Sequence, residues 1–165
     1  MEQEKIRTVI MRAGTSKGIF LREEDLPKDR KERDQIILNI FGSPDVRQID
    51  GLGGADPLTS KVAIIGPPSR SDADIDYTFG QVSYVAPIID YSGNCGNISS
   101  GVAPFAVDEG LVKVEEPYTT VRVHNTNTNS ILVQKVQVVN GKAKVLGDCK
   151  IAGVPGTGAE ISIDV

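Results

Sequence analysis

A cysteine surrounded by turn-forming residues is the first candidate for chemistry in this sequence. Cys95 lies in "SGNCGN", and an apolar segment from Ile98 to Glu109 predicts a helix directly after it. Glycine and asparagine favour a tight turn with positive φ, and Asn97 is placed to cap the helix. Free N–H groups at a helix start attract carboxylates and thiolates. Cys95 could therefore move protons beside a carboxylate, and an inert buried cysteine is the alternative.

Lys61 is the second candidate, because the small polar residues of "LTS" precede it and the apolar run "VAII" follows it. Burial of an ammonium group at the start of a strand favours the neutral amine, which can act as a base. The alternative is a solvated surface lysine, the usual position of this residue type.

The segment "MRAGTSKG" is the third candidate, since it crowds hydrogen-bond donors between two glycines. The donors are Arg12, Thr15, Ser16 and Lys17. Such groups suit a carboxylate, and arginine can bind one in bidentate fashion. An ordinary hairpin turn would carry the same residues, so both interpretations stay open.

The remaining motifs point away from nucleotides and metals. "GLGGA" (51–55) lacks the spacing of a dinucleotide fingerprint, and "MRAGTSKG" lacks that of a phosphate-binding P-loop. His124 is the only histidine, and it cannot be combined with Cys95 and Cys149 at metal-ligand spacing. We therefore expect no metal site, and structural roles for His124 and Cys149.

Composition limits the partners of the chain. Its 165 residues carry a formal net charge of −4, which argues against non-specific nucleic-acid binding. No apolar run approaches the ~20 residues that a membrane helix needs, and the amino terminus has no signal-peptide pattern. The two cysteines make no disulfide framework. We expect a cytoplasmic protein that binds neither nucleic acid nor membrane.

The hydrophobic pattern predicts short strands and two helices as the scaffold for these candidates. The predicted strands are Val9–Met11, Ile19–Leu21, "VAIIG" (62–66), one or two over 75–90, "YTTVRVHN" (118–125), and a hairpin that turns at Asn140–Gly141. The first helix covers about 30–41, with Asp29 as its cap and Gly42 and Pro44 at its end.

The second predicted helix, Ile98 to Glu109, ends at Gly110 and is apolar on most sides, which predicts burial. Pro104 inside it predicts a kink or a late helix start. A curved sheet wrapped around one apolar helix accommodates both the strands and this helix, so we expect an α+β fold.

Several motifs together resemble the PrpF family of 2-methylaconitate cis–trans isomerases, which includes 3-methylitaconate Δ-isomerase and 4-oxalomesaconate tautomerase. The motifs are "MRAGTSKGIF", "GSPDVRQIDGLGGADPLTSKVAII", "DYTFGQVS", "SGNCGNISSGVAPFAVDEGL", "VRVHNTNTN" and "VPGTGAEISIDV". Their order and spacing match the family over nearly the whole chain.

This resemblance implies a diaminopimelate-epimerase-like fold. In such proteins two similar domains each wrap a β-barrel-like sheet around a central helix, and the active site lies in the cleft between them. The resemblance therefore implies that residues 1–165 are the N-terminal domain and that the second domain is not part of this chain. We expect little activity from one domain alone, because its half of the cleft is open to water.

The implied reaction is a cofactor-independent proton transfer on an unsaturated di- or tricarboxylate such as 2-methylaconitate. The lysine and cysteine of the family correspond to Lys61, the expected base, and Cys95, its partner acid or base, with the order of the two roles open. The implied substrate-binding residues are Thr15, Ser16, Lys17, Ser60, Asn94, Gly96 and Asn97. No metal or organic cofactor is implied.

Two other functions stay open. An amino-acid epimerase or racemase of the same superfamily would use one cysteine from each domain, although the lysine in "TSKVA" argues against it. A non-catalytic domain that binds small carboxylates is the second alternative. We also expect association, as a homo-oligomer or through the face left open by the missing domain, because exposed apolar patches tend to associate.

Overall fold

The structure is a computed structural model that describes residues 2–165, and its main feature is a curled mixed β-sheet. Within these residues the strands are β1 (Val9–Ala13), β2 (Ser16–Arg22), β3 (Lys61–Gly66), β4 (Ile75–Val82), β5 (Ile89–Asp90), β6 (Tyr118–Asn125), β7 (Ser130–Val139), β8 (Lys142–Ala143) and β9 (Ile161–Asp164). The helices are α1 (Arg30–Phe41), α2 (Gly96–Ser99) and α3 (Val102–Asp108), with a 3-10 turn at Glu23–Asp25. None of the helices in this described range is long and apolar enough to cross a bilayer.

The order of the strands explains how distant residues meet. The sheet runs β1-β2-β3-β4-β6-β7-β8, with β5 paired to β4 and β9 paired to β7. Strands β2 and β3 are parallel, and so are β4 and β6. Parallel neighbours need a long connection: α1 lies in the first one, and α2 and α3 lie in the second.

The concave face of the sheet wraps around α3, as the sequence predicts. All six residues from Val102 to Val107 are buried. They pack in one cluster with inward-facing side chains of the sheet, among them Phe20, Ala63, Tyr77, Val121 and Leu132. The predicted central apolar helix is thus confirmed, and its burial accounts for its low polar content.

The convex face of β2 and β3 is covered by α1. Ile37 and Phe41 pack there against Leu21 and Val62. The bounds of this helix agree with the prediction, since the Asp29 carboxylate accepts a hydrogen bond from the Glu32 N–H at 3.0 Å and the next residue after Phe41 is a left-handed glycine.

The second predicted helix is wrong in its extent, because Ser100 and Gly101 separate α2 from α3. The break is stabilised from β7: the buried Gln134 side chain donates to Ser99 O at 2.8 Å and accepts from Ala103 N at 3.0 Å. Pro104 therefore falls in the first turn of α3, where its missing N–H would have no helical partner. The late helix start is confirmed.

The predicted hairpin at Asn140–Gly141 is also confirmed. Both residues have positive φ, 54° and 75°, as a type I′ turn requires, and they join β7 to β8. The apolar alternation near the carboxyl end forms β9, which pairs with residues 133–136 of β7 on the edge opposite β6.

Candidate active site

Lys61 and Cys95 meet at one end of the half-barrel, where β2 and β3 begin. Lys61 is the first residue of β3, and Cys95 precedes the first residue of α2. Lys61 Nζ donates a hydrogen bond to Cys95 Sγ at 3.2 Å across 34 positions of sequence. Lys61 is only 7% exposed, whereas Cys95 is half-buried. We call this end of the barrel, with Cys95 and the exposed residues Gly93, Asn94 and Gly96, the mouth.

Ser16 completes the surroundings of the ammonium group. It begins β2, the parallel neighbour of β3, and its side chain is buried. Lys61 Nζ donates to Ser16 Oγ at 2.9 Å. The lysine is therefore held by two acceptors, one from the sheet and one from the helix start, which fixes Nζ beside the thiol.

Asn97 has a different role from the one predicted. Cys95, with an extended backbone (φ −124°, ψ 108°), is the N-terminal boundary of α2, so Asn97 lies within the helix and cannot cap it. Its Oδ1 accepts instead from Thr15 N at 3.0 Å. At Gly14 (φ +55°) an added Cβ would lie 2.1 Å from Asn97 Oδ1. Asn97 thus docks the β1–β2 turn against α2.

The glycines of "SGNCGN" provide space rather than an unusual backbone. The expected positive φ in this turn is wrong, because none of residues 92–97 has one. A Cβ at Gly93 or Gly96 would meet no atom within 4 Å. The N–H groups of Gly96, Asn97 and Ile98 have no hydrogen-bond acceptor among residues 2–165. The mouth therefore has free donors and room beside the thiol.

Two of the residues expected to bind substrate lie apart from this pair. Lys17 follows Ser16 in β2 and so points to the opposite face of the strand, where its Nζ would be 3.2 Å from a Cβ at Gly54. The Ser60 hydroxyl is buried and donates to Val82 O at 2.7 Å. Lys17 thus faces the loop before β3, and Ser60 joins that loop to β4.

The other predicted residues lie at the rim of the mouth. Asn94 is exposed, and its Oδ1 lies 3.3 Å from Ser99 Oγ. Thr15 is also exposed. The structure therefore brings together Ser16, Lys61 and Cys95 as a compact centre, with Thr15, Asn94, Gly96 and Asn97 around it.

Gln48 organises the long loop before Lys61, and no motif in the sequence indicates this role. Its side chain is 1% exposed. It donates to Ser43 Oγ at 3.1 Å and Ser60 Oγ at 2.8 Å, and accepts from Ala55 N at 2.8 Å. The irregular segment is thus held by one amide, and this fixes the residue that precedes Lys61.

Tyr77 lies behind the cysteine and was also missed. It is fully buried, and its hydroxyl has no hydrogen-bond partner in the described part of the chain. The nearby Ser99 hydroxyl donates instead to Cys95 O at 2.9 Å. Burial, and to a smaller extent the charge of a Cys95 thiolate, holds the pKa of the Tyr77 hydroxyl well above its usual value near 10.0.

Within the described residues, neither His124 nor Cys149 forms a hydrogen bond with Lys61 or Cys95. The ring nitrogens of His124 lie 2.9 Å from Asp76 Oδ1 and 3.0 Å from Asn129 Oδ1, which is a structural arrangement. Cys149 is exposed. A concavity of about 710 Å³ on the described surface is lined by other residues, such as Arg22 and Pro67.

Comparisons with known proteins agree with this picture. The family model described as PrpF protein matches residues 3–165. A 3-methylitaconate isomerase from Eubacterium barkeri is 65% identical over 99% of this chain and 43% of its own length. A 4-oxalomesaconate tautomerase from Pseudomonas putida is 48% identical over 99% of this chain and 45% of its own length. The chain thus spans less than half the length of these curated relatives.

Solved structures show the same fold. The crystal structure of a methylitaconate-delta-isomerase matches with a TM-score of 0.96 at 65% identity, over 98% of this chain and 72% of that one. A hydroxyproline epimerase from Agrobacterium vitis matches with a TM-score of 0.56 at 16% identity, over 83% of this chain and 39% of that one. The expected diaminopimelate-epimerase-like fold is confirmed, and the chain belongs to the PrpF family.

Proposed function

We propose that this chain carries the proton-transferring half of an isomerase for unsaturated di- or tricarboxylates. The observation that carries the proposal is the 3.2 Å hydrogen bond from Lys61 Nζ to Cys95 Sγ at an exposed mouth. Lysine and cysteine can each take up or release a proton during a reaction. The matched relatives are named for the isomerisation or tautomerisation of such acids.

The reaction removes one proton and returns one. Neutral Lys61 takes a proton from the carbon that adjoins both a carboxylate and the double bond, and the electron pair of the broken C–H bond spreads over the allylic system. The anion can rotate or shift its double bond. The Cys95 thiol then gives its proton to carbon, and the substrate regains its original charge. The pair is left as ammonium and thiolate.

The contact between the two side chains allows the pair to be reset. A proton passes from Lys61 Nζ to Cys95 Sγ along the hydrogen bond that joins them, which restores the amine and the thiol. Because the two groups lie side by side, the proton leaves and returns on one face of the substrate. A racemase of this superfamily would pair Cys95 with a cysteine of a second domain on the opposite face, whereas Cys95 already has Lys61 as its partner within this chain. This arrangement supports the isomerase over the racemase.

The mouth offers donors for the substrate carboxylates. We assign one carboxylate to the free N–H groups of Gly96, Asn97 and Ile98, where the open space beside Gly93 and Gly96 admits it. The exposed side chains of Thr15 and Asn94 are donors for a second carboxylate. Lys17 and Ser60 have no part in this assignment.

The site needs a second wall. Gly93, Asn94 and Gly96 leave the mouth open to solvent, and a carbanion-like state is stabilised best where water is excluded. The chain spans less than half of its relatives, so we assign the missing wall to a second domain outside residues 1–165. The chain alone should then bind carboxylates weakly and turn over little. The proposal uses no metal and no organic cofactor.

The test replaces the matching residues of the Eubacterium barkeri isomerase with this chain and follows 3-methylitaconate by proton NMR. We expect the chimera to isomerise it and the isolated chain to reach at most about 1% of that rate. Lys61→Met and Cys95→Ser should each lower kcat about 10²- to 10⁴-fold. Lys31→Met on α1 and Cys149→Ser are the matched controls, since both residues are exposed.

Near-normal turnover in both Lys61 and Cys95 variants would refute the assigned site. A folded chimera that binds the acid in calorimetry and never isomerises it would favour the carboxylate-binding domain instead. Repeating the assay with 2-methylaconitate and 4-oxalomesaconate ranks the substrates by kcat/KM.

A further inference from the structure

Asn127 lies in the polar turn between β6 and β7, and its side chain reaches out of that turn to two other segments. Its Oδ1 accepts from Phe79 N at 2.7 Å. Its Nδ2 donates to Phe79 O and to Tyr91 O, at 2.8 Å each. Both amide hydrogens are used, and the two carbonyl acceptors fix which way the amide points. Asn127 thus bonds β4 and the chain at Tyr91 at the same time.

Tyr91 is the first residue of the segment 91–95 that leads from β5 to Cys95. Its carbonyl is held by Asn127, and its hydroxyl donates to Asp34 Oδ1 on α1 at 2.5 Å. The guanidinium of Arg30 lies 4.9 Å from the centre of its ring. The start of the segment is therefore fixed from both its backbone and its side chain.

The remainder of the segment has few contacts of its own. Ser92 N donates to the Asp90 side chain at 2.8 Å, and Gly93 and Asn94 are exposed. At the far end, Cys95 O accepts from Ser99 N at 2.9 Å. The location of Cys95 is thus determined by two anchors, α2 on one side and Tyr91 on the other.

We propose that Asn127 is a positioning residue that sets the contact between Cys95 Sγ and Lys61 Nζ. It bonds the cysteine segment to β4, and β4 is the direct neighbour of the strand that carries Lys61. The inference rests on the proposed function, in which these two side chains exchange the proton. The proposal gives the polar turn between β6 and β7 a part in the geometry of the site.

The test measures how strongly Lys61 affects Cys95, with and without the Asn127 amide. Iodoacetamide labelling of Cys95 is followed by peptide mass spectrometry, and the exposed Cys149 is the internal reference. Lys61→Met should slow Cys95 labelling about fivefold or more, because the Lys61 amine can take up the thiol proton across their hydrogen bond and so supplies the reactive thiolate. In Asn127→Asp, a carboxylate oxygen faces the carbonyl oxygens of Phe79 and Tyr91 and repels them. In that background Lys61→Met should change the rate of Cys95 labelling by less than about twofold, because the two side chains are no longer held in contact.

Asn129→Asp is the matched control. It is the same substitution two residues away, at a position whose contacts are with Arg70 and His124, and the full effect of Lys61→Met should persist there. Asn127→Ala removes the three bonds without adding charge, and it replaces Asn127→Asp if the latter fails to fold in a thermal melt.

Two results would overturn the inference, and they have different meanings. An equally large Lys61 effect in the wild-type and Asn127 backgrounds would show that the amide does not position the pair, and would leave the proposed function intact. No Lys61 effect in the wild-type chain would refute the Lys61–Cys95 pair itself, and with it both proposals.

Discussion

The side-chain nitrogen of Lys61 lies 2.9 Å from the hydroxyl oxygen of Ser16, and both residues begin neighbouring parallel strands. The contact is buried, with 7% exposure for the lysine and 1% for the serine. One N–H of Lys61 Nζ points to Ser16 and another to Cys95. Loss of the hydroxyl leaves a buried donor unsatisfied and lets Nζ move away from the thiol.

Ser16→Ala should therefore lower kcat of the chimeric enzyme about 10- to 100-fold, since a displacement of about 1 Å in a reacting group has an effect of this size. Ser130→Ala is the control, because that hydroxyl pairs only with Thr128 Oγ1 at the surface. A Ser16→Ala enzyme with the kcat of the parent would show that the hydroxyl does not hold the lysine for the reaction.

Gly14 and Asn97 are packed so closely that a single methyl group should separate them. Gly14→Ala puts a side chain at φ +55°, which alone destabilises by about 1–2 kcal/mol, and also displaces Asn97 from Thr15. We expect a loss of about 2 kcal/mol or more in urea unfolding. Gly93→Ala, which meets open space, should stay within about 0.5 kcal/mol of the parent. Equal stability of the two variants would contradict this packing.

Tyr77 and Tyr91 should respond in opposite ways to loss of their hydroxyls. Tyr77→Phe removes a group without a partner and should be neutral or stabilising by about 1 kcal/mol, whereas Tyr91→Phe loses a bond to Asp34 and should destabilise by about 1–2 kcal/mol. Burial raises the pKa of both hydroxyls above 10.0, and the Asp34 carboxylate adds to this at Tyr91.

The raised pKa values of the two tyrosines also make the free energy of unfolding depend on pH. Above pH 10 the unfolded chain releases these protons while the folded chain keeps them, so the free energy of unfolding falls as pH rises further. Urea titrations of the parent and the double Phe variant, at pH values from about 9 to about 11, check both effects. If the free energy of unfolding fell equally steeply with pH in the two proteins, the assigned pKa shifts would be contradicted.

Local signals allowed part of this fold to be predicted. The bounds of α1 follow from Asp29 and Gly42, which act on their own helix, and the hairpin at Asn140–Gly141 follows from two residues that tolerate positive φ. The division between α2 and α3 could not be predicted, because Gln134, more than 30 residues away, stabilises it.

The candidate site shows the same division between local and long-range information. The alternation of β2 places Ser16 and Lys17 on opposite faces, but only the pairing with β3 decides which face holds Lys61. Asparagine is a residue type that often caps helices, so the sequence alone favours Asn97 as the cap. In the structure Cys95 takes that position, and Asn97 instead binds the turn between β1 and β2. Nothing in the polar turn around Asn127 indicates Tyr91, which is 36 positions away.

The apolar filling of the half-barrel also bears on the fate of the transferred proton. Phe20, Tyr77 and Ile98 are fully buried in the cluster that lies behind Lys61 and Cys95, so bulk water reaches the pair only through the mouth. A second domain that covers the mouth would then determine how slowly the transferred proton exchanges with water. The fraction of deuterium that a labelled substrate retains after turnover would measure how well that domain excludes water from the site.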